Sequence, residues 1–318
     1  MYNMDKLFLA VEKRGHICVG LDTTIDYIPE KERAASGGDA ASAASSVLAY
    51  NKAIIDVTCD IAACYKVQIA YYEELGIAGL QSYAATLEYL RDKGVLVIAD
   101  IKRGDIADTA SRYARAHFEG EFEADFVTLN PYMGMDSIQP WLQWADKKGK
   151  GAFVLVRTSN QGRRDFQELE VSDAGGGRKE STRSSTGRLF HSVGEKLSRL
   201  ACDRLGAHGY GAFGAVVGAD PQTLAEREET AAIRKQLKNL FFLIPGYGAQ
   251  GGAAADAALL LHNGNGGVVN SSRAILKAWQ TMAEKEGRDF SAVDNAYAAA
   301  SARAAAIEMR DAILAAAR

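Results

Sequence analysis

Long apolar runs are missing from this chain. No stretch approaches the roughly 18 consecutive apolar residues of a membrane span, and Met1 to Gly15 is mixed and charged, with no apolar signal core. A membrane partner is therefore not expected. Cysteine is sparse: Cys18, Cys59, Cys64 and Cys202 show no CxxC spacing and are too few for a disulfide scaffold. They read as small core hydrophobes in a reducing, cytoplasmic compartment. Neither sign of charge dominates, with 37 Lys and Arg against 40 Asp and Glu and a formal net charge of -3. That removes the case for a nucleic-acid partner or a membrane surface, and any anionic ligand needs a local site. His16, His117, His191, His208 and His262 have no metal-ligand spacing, and surface or loop positions are expected for most. No Ser-His-Asp or Cys-His pairing stands out, no tandem repeat occurs, and no strand-like run is followed by GxGxxG.

What is present is an ordinary globular composition, 47% hydrophobic and 24% charged, over 318 residues. Short apolar runs alternate with helical stretches. The strand-like runs are Ile17 to Asp22, Cys64 to Gln68, Val95 to Asp100, Asp125 to Asn130, Ala152 to Thr158, Phe213 to Gly218, Phe241 to Pro245 and Gly267 to Asn270. Between them, helices are expected over Ala49 to Asp60, Ile77 to Lys93, Thr109 to Phe118, Ser137 to Lys147, Thr186 to Leu205, Pro221 to Leu237 (Asp220 as N-cap) and Gly252 to Leu261, then from about Arg273. Lys6 to Arg14 reads as a short helix before the first strand, and Glu30 to Ser46 as a loop or a weakly determined helix start. Strands alternating with helices imply βαβ units and a parallel sheet. Eight of them fit a (β/α)8 TIM barrel better than a doubly wound sheet.

The expected organisation is one barrel domain over 1–318 with an N-terminal helix and two additions. Gly162 to Ser185, rich in Gly, Arg and Lys, reads as an exposed insertion after the fifth strand. Its basic residues are mixed with acids and make a poor case for nucleic acid. Residues 290–318 read as an Ala-rich accessory helix outside the barrel.

The chain is organised around Asp100-Ile101-Lys102-Arg103-Gly104-Asp105, at the end of the run Val95-Leu96-Val97-Ile98-Ala99. Strand side chains alternate, so Asp100 and Lys102 are expected to point the same way. Two carboxylates around one ammonium beside an apolar interior are costly unless paired. A structural salt bridge and a catalytic group both fit that stretch taken alone. Chemistry in this fold sits at the C-terminal strand ends. Those ends carry Asp22, Lys66, Asp100 with Lys102 and Asp105, Thr128 and Asn130, Thr158 to Asn160, the Gly-rich Pro245 to Gly252, and Asn270 to Arg273. The seventh and eighth ends are where such barrels bind phosphate, and exposed amides plus a guanidinium suit an anion.

These strings together resemble the orotidine 5'-monophosphate decarboxylase family, from about Ile17 to Ile275. The carriers are Asp100-x-Lys102-x-x-Asp105-Ile106-x-x-Thr109, Leu21-Asp22, Tyr65-Lys66, Asn130-Pro131-Tyr132, Thr158-Ser159-Asn160, Pro245-Gly246-x-Gly248-Ala249-Gln250-Gly251-Gly252 and Ser272-Arg273. The Lys-Arg-Gly-Asp-Ile pattern and the long insertions are similar to the larger bacterial (type 2) branch. Two departures are Gln161, where proline is common, and Ser271-Ser272, where many members have glycine.

The resemblance implies roles. Lys102 would donate a proton to C6, flanked by Asp100 and Asp105, and Asp22 and Lys66 would bind ribose hydroxyls. Ser159 and Gln250 would hold the pyrimidine, with Gln250 also bridging to the phosphate. Arg273 and backbone amides near Gly252 and Ser272 would hold the phosphate, and Pro245 and Gly251 would bind substrate as well. Asp105, Ile106 and Thr109 would reach into the site of a second copy, making a homodimer with shared sites. No cofactor and no metal are expected. Loss of CO2 then leaves a C6 carbanion without an electron sink, and an ammonium kept charged in a largely dry pocket both stabilises it and supplies the proton. Two rivals share some of these features. Mg2+-dependent sugar-phosphate enzymes share the third-strand string but need an acid at the second strand's end. A non-catalytic phosphate-binding barrel would not need the charged trio.

Overall fold

A computed structural model describes residues 1–34, 38–172, 186–247 and 253–317. Eight parallel strands close into a barrel, each hydrogen-bonded to its neighbours in chain order and the eighth to the first. They are Ile17–Gly20, Cys64–Gln68, Leu96–Arg103, Phe126–Leu129, Gly151–Arg157, Phe213–Val217, Phe242–Ile244 and Gly267–Ser271. The (β/α)8 expectation holds for this architecture.

Strand alternation sorts the side chains into two cores. Cys18, Cys64, Ile98, Phe126, Phe153, Val216, Leu243 and Val268 fill the lower barrel interior. Met4, Leu7 and Val11 of the helix Asn3–Arg14 join this cluster and close the barrel's lower end. The residues between them on each strand, such as Val19, Tyr65, Val97, Val127 and Val154, pack outward against the helices. Two residues further along the inward face, the side chains turn polar: Lys66, Asp100, Thr128 and Asn270. An apolar floor under a polar rim is therefore the direct result of period-two alternation on parallel strands in register.

Several expectations need correction. Glu30 to Ser46 is largely helical: Glu30–Ala34 forms one helix, and Ala40–Thr58 begins nine residues before the expected start. Asp39 caps it, accepting from the Ser42 amide at 2.7 Å, a cap that its Ala- and Ser-rich first turns had hidden. Asp220 is not an N-cap. Its carboxylate is committed to Arg163, and the helix Leu224–Gln236 starts later, capped by Thr223. Thr186–Arg188 is a strand rather than the start of a helix. It pairs antiparallel with Glu170–Ser172, and the helix runs over Leu189–Cys202. Of the expected insertion, residues 173–185 lie outside the described residues, and in its first turn Arg163 is buried rather than exposed. Cys202 is exposed rather than core, and His16 and His117 are buried rather than superficial. The C-terminal helix Asn295–Ala316 packs outside the barrel, mainly on Ala40–Thr58 and Ala278–Glu286.

Candidate active site

Four charged side chains meet at the ends of the first three strands. Asp100 stands in the middle, with Lys66 Nζ 2.9 Å from Oδ2 and Lys102 Nζ 2.7 Å from Oδ1. Lys66 also reaches Asp22 Oδ1 at 2.9 Å, so the charges alternate along the rim. Two neutral donors complete the Asp100 shell. Gln68 Nε2 donates to Oδ2 at 3.0 Å and Thr128 Oγ1 to Oδ1 at 2.8 Å. The register explains the contacts, because Gln68 lies directly beside Asp100 and Gly20 beside Lys66.

Burial alone works against charge on Lys66 and Asp100. For Lys66 it is overcome by the carboxylates of Asp100 and Asp22, which hold the ammonium above its ordinary 10.5. For Asp100 it is overcome by Lys66 and Lys102, which hold the carboxyl well below its ordinary 3.8. Asp100's contribution to stability is therefore present above 3.8 and lost only at still lower pH. That of Lys66 is complete below 10.5 and lost only at higher pH. Both stay ionised across the neutral range.

Lys102 does not follow regular alternation. Its φ is 43°, the left-handed region that a non-glycine residue rarely adopts, and the pairing with the fourth strand shifts register between Ala99 and Arg103. One hydroxyl holds this bulge: Thr128 Oγ1 accepts from the amides of Ile101 at 3.0 Å and Lys102 at 2.9 Å while donating to Asp100. The bulge re-aims the side chain into the mouth of the barrel. Lys102's side chain is 48% exposed, against 7% for both Lys66 and Asp100, so the dry pocket expected around it is not complete in one chain.

A cavity of about 420 Å³ opens over this cluster. Asp22, Lys66, Asp100 and Lys102 line one side and Pro245, Ser272 and Arg273 the other. Ser272 connects the two sides, donating to Asp22 Oδ2 at 2.8 Å. This contact exists because residue 20 is glycine: a Cβ there would overlap the Ser272 hydroxyl.

Other expected residues lie elsewhere. Ser159 lines a neighbouring cavity of about 520 Å³ with Asn160, Arg163, Asp220 and Gln222. Asp105 makes no ion pair with Lys102 of the same chain among the described residues; its Oδ1 accepts from the Ile106 amide at 2.8 Å. Ile106 and Thr109 are exposed on the loop and helix that follow. Gln250, Gly251 and Gly252 lie outside the described residues.

Sequence reasoning missed Gln68, Thr128 as the bulge holder, and Tyr27 and Tyr71, which also line the first cavity. Burial, and then the nearby Asp22, push the Tyr71 hydroxyl up from 10.0. The available signal for Gln68 was its place two residues after Lys66, on the same face of its strand.

The cluster can present an ammonium, held by a carboxylate that is ionised across the neutral range, to a ligand whose anionic end lies toward Arg273. Comparison with known proteins agrees with this chemistry. The family model for "Orotidine 5'-phosphate decarboxylase / HUMPS family" matches residues 15–286. The chain is 53% identical over 309 residues to orotidine 5'-phosphate decarboxylase of Clostridium perfringens SM101, covering 97% of each chain. It is 50% identical over 312 residues to that of Clostridium acetobutylicum, covering 98% of each. Among solved structures, Leishmania donovani OMP decarboxylase superposes with a TM-score of 0.71 at 28% identity, covering 100% of this chain and 99% of the other.

Proposed function

Because this chain belongs to the orotidine 5'-phosphate decarboxylase / HUMPS family, we propose how its own residues divide the conversion of orotidine 5'-monophosphate to UMP and CO2. The chain is a carboxy-lyase of pyrimidine synthesis. The observation that carries the assignment of roles is Asp100, buried and bonded to two ammonium groups of which only Lys102 is half exposed toward the cavity.

In this reading the substrate lies across the 420 Å³ cavity. The bond between C6 and the carboxylate carbon breaks, CO2 leaves, and the electron pair stays on C6. Lys102 Nζ faces that carbon, offsets the developing charge and transfers one proton to it. The resulting amine regains a proton from solvent. Asp100 keeps the ammonium in place at 2.7 Å. Lys66 neutralises the rest of the Asp100 charge and, with Asp22, offers a charged pair to the ribose hydroxyls. Arg273, with Pro245, Ser272 and the loop through Gln250, Gly251 and Gly252, takes the phosphate. Binding energy from that remote group then positions the ring. Ser159, on the neighbouring cavity, takes the pyrimidine where the ring extends from the first cavity into the second.

A second copy of the chain completes the site. Asp105 does not reach its own Lys102, whose side chain is half exposed, and Ile106 beside it is 42% exposed. Ile106 and Thr109 stand on the same exposed segment. A homodimer in which Asp105, Ile106 and Thr109 enter the partner's site fits all three observations. The barrel and its accessory helix support reading 1–318 as one domain. Four free cysteines fit a reducing, cytoplasmic setting. Among the described residues, no helix is long and apolar enough to cross a membrane.

The Mg2+-dependent rival needs a carboxylate at the second strand's end. That end holds Lys66 and Gln68, both bonded to Asp100, and Glu73 pairs with Arg103 at 3.4 Å. The test is an orotidylate decarboxylation assay with and without EDTA. Turnover unaffected by chelation is expected; turnover lost to EDTA and restored by Mg2+ would favour the rival.

A further inference from the structure

The loop that carries Ser159 rests on a buried ion network built by the insertion. Arg157 ends the fifth strand with no exposed surface, and Arg163 opens the insertion's first helical turn, Arg163–Phe166, at 3% exposure. Arg163 binds in three directions. Its Nε lies 2.7 Å from Glu168 Oε1 and its Nη1 2.8 Å from Asp220 Oδ2, and Nη1 also donates to the Ser159 carbonyl at 3.4 Å. Arg157 Nη2 reaches the same Glu168 at 3.4 Å. Beside them Gln167 mimics a strand neighbour: its Oε1 accepts from the Thr158 amide at 2.8 Å and its Nε2 donates to Thr158 Oγ1 at 2.9 Å. Thr158 Oγ1 in turn donates to Asn160 Oδ1 at 2.7 Å. From the side, Gly218 lets the sixth strand's end approach so closely that a Cβ there would stand 2.9 Å from Ser159 Cα.

Three consecutive residues, Thr158 to Asn160, are thus tied to Arg163, Gln167 and Glu168 of the insertion and to Asp220 after the sixth strand. Buried ion pairs of this kind contribute little net stability, because desolvation cancels most of the attraction. Their directional bonds do define one geometry, and a planar guanidinium that reaches two carboxylates at once defines it well. The network also borders the cavity into which Ser159 faces.

We propose that Arg163 and Asp220 are positioning residues for the substrate's ring: they hold the Thr158–Asn160 loop so that Ser159 meets the pyrimidine, and this is the task of the insertion's first turn. The proposal rests on the reading of Ser159 as a ring-binding residue. It separates two parts of one ligand, since the ring should feel the network and the ribose phosphate should not.

The test compares UMP with ribose 5-phosphate as competitive inhibitors of decarboxylation by the full chain. Arg163→Met should weaken UMP inhibition about tenfold and leave ribose 5-phosphate within about twofold. Asp220→Asn keeps the shape and an acceptor oxygen. It should do the same, and it serves alone should Arg163→Met fail to fold. Ser159→Ala should weaken UMP in the unaltered protein and add little in the Arg163→Met background. Equal losses for both inhibitors, or undiminished UMP inhibition in both network variants, would overturn the proposal. If Ser159→Ala itself leaves UMP unaffected, the ring-binding reading falls and the proposal falls with it. A loss in Ser159→Ala without one in the network variants overturns the proposal alone.

Discussion

Asp22, Lys66, Asp100 and Lys102 at the first three strand ends, and Arg157, Arg163, Glu168 and Asp220 at the fifth and sixth, are both chains of alternating charge on the same barrel rim. They differ in what their cations face. Arg157 and Arg163 are almost fully buried, and Arg163 spends its guanidinium on Glu168, Asp220 and a loop carbonyl. Lys102 has one carboxylate at 2.7 Å and half its side chain exposed at the cavity mouth. The first arrangement can act on a ligand; in the second, both guanidinium groups are committed to neighbouring protein groups. A strand-end ion pair is therefore read by whether one member remains exposed toward a cavity, more than by how perturbed its charges are.

Substitutions in the two clusters should separate activity from stability. Lys102→Ala should lower decarboxylation by more than about 10⁴-fold while UMP still binds, as single-turnover and titration measurements would show. Near-normal turnover would remove Lys102 from its role. Its unfolding free energy in urea should change by no more than about 1 kcal/mol, because Asp100 keeps Lys66, Gln68 and Thr128.

Arg157→Met should do the reverse. It leaves Glu168 and Glu229 short of a buried partner, so a loss of about 3 kcal/mol in urea unfolding is expected, with kcat changed less than about tenfold. A collapse of kcat with full stability would erase the distinction between the clusters.

Arg273→Ala tests the far side of the open cavity. KM should rise about 100-fold with a smaller change in kcat, and an unchanged KM would argue against a phosphate role.

The smallest effect concerns His117, near the end of the helix Ala107–Phe118. Burial, with Arg103 nearby, lowers it from 6.5 to about 4, and its Nδ1 is buried without a partner. The unfolded chain takes up a proton there first, so stability should fall as pH drops from 6.5 toward 4. The loss is about 1 kcal/mol by pH 5.5. His117→Gln should flatten that part of the stability curve in pH-dependent urea unfolding; an unchanged slope would refute the assignment. This uncompensated burial contrasts with both ion clusters.

Much of the fold was legible because short β-branched runs and helical stretches alternate along the chain with little ambiguity. The misread stretches were those where local composition is neutral or the partner is remote. The start of Ala40–Thr58 is all Ala and Ser, which fits helix and loop alike. Asp220 precedes a proline like a cap, yet Arg163, fifty-seven positions earlier, claims its carboxylate. Thr186–Arg188 is a strand only because Glu170–Ser172 lies beside it. The candidate site was legible by residue type, since Asp22, Lys66, Asp100, Lys102, Pro245, Ser272 and Arg273 line one cavity. Ser159 opens on a second, and Gln68 and Thr128 went unassigned although they complete Asp100.

By itself, then, the sequence determined the alternation that builds the barrel and the change from apolar floor to charged rim, because both follow from period-two exposure along each strand. Tertiary structure alone decided which charges touch, because contacts across strands depend on register and closure. It set Thr128 under a left-handed Lys102 and joined Ser272 to Asp22. It also left Lys102 partly exposed while burying Arg163, which is what separates a group able to react from one that only supports.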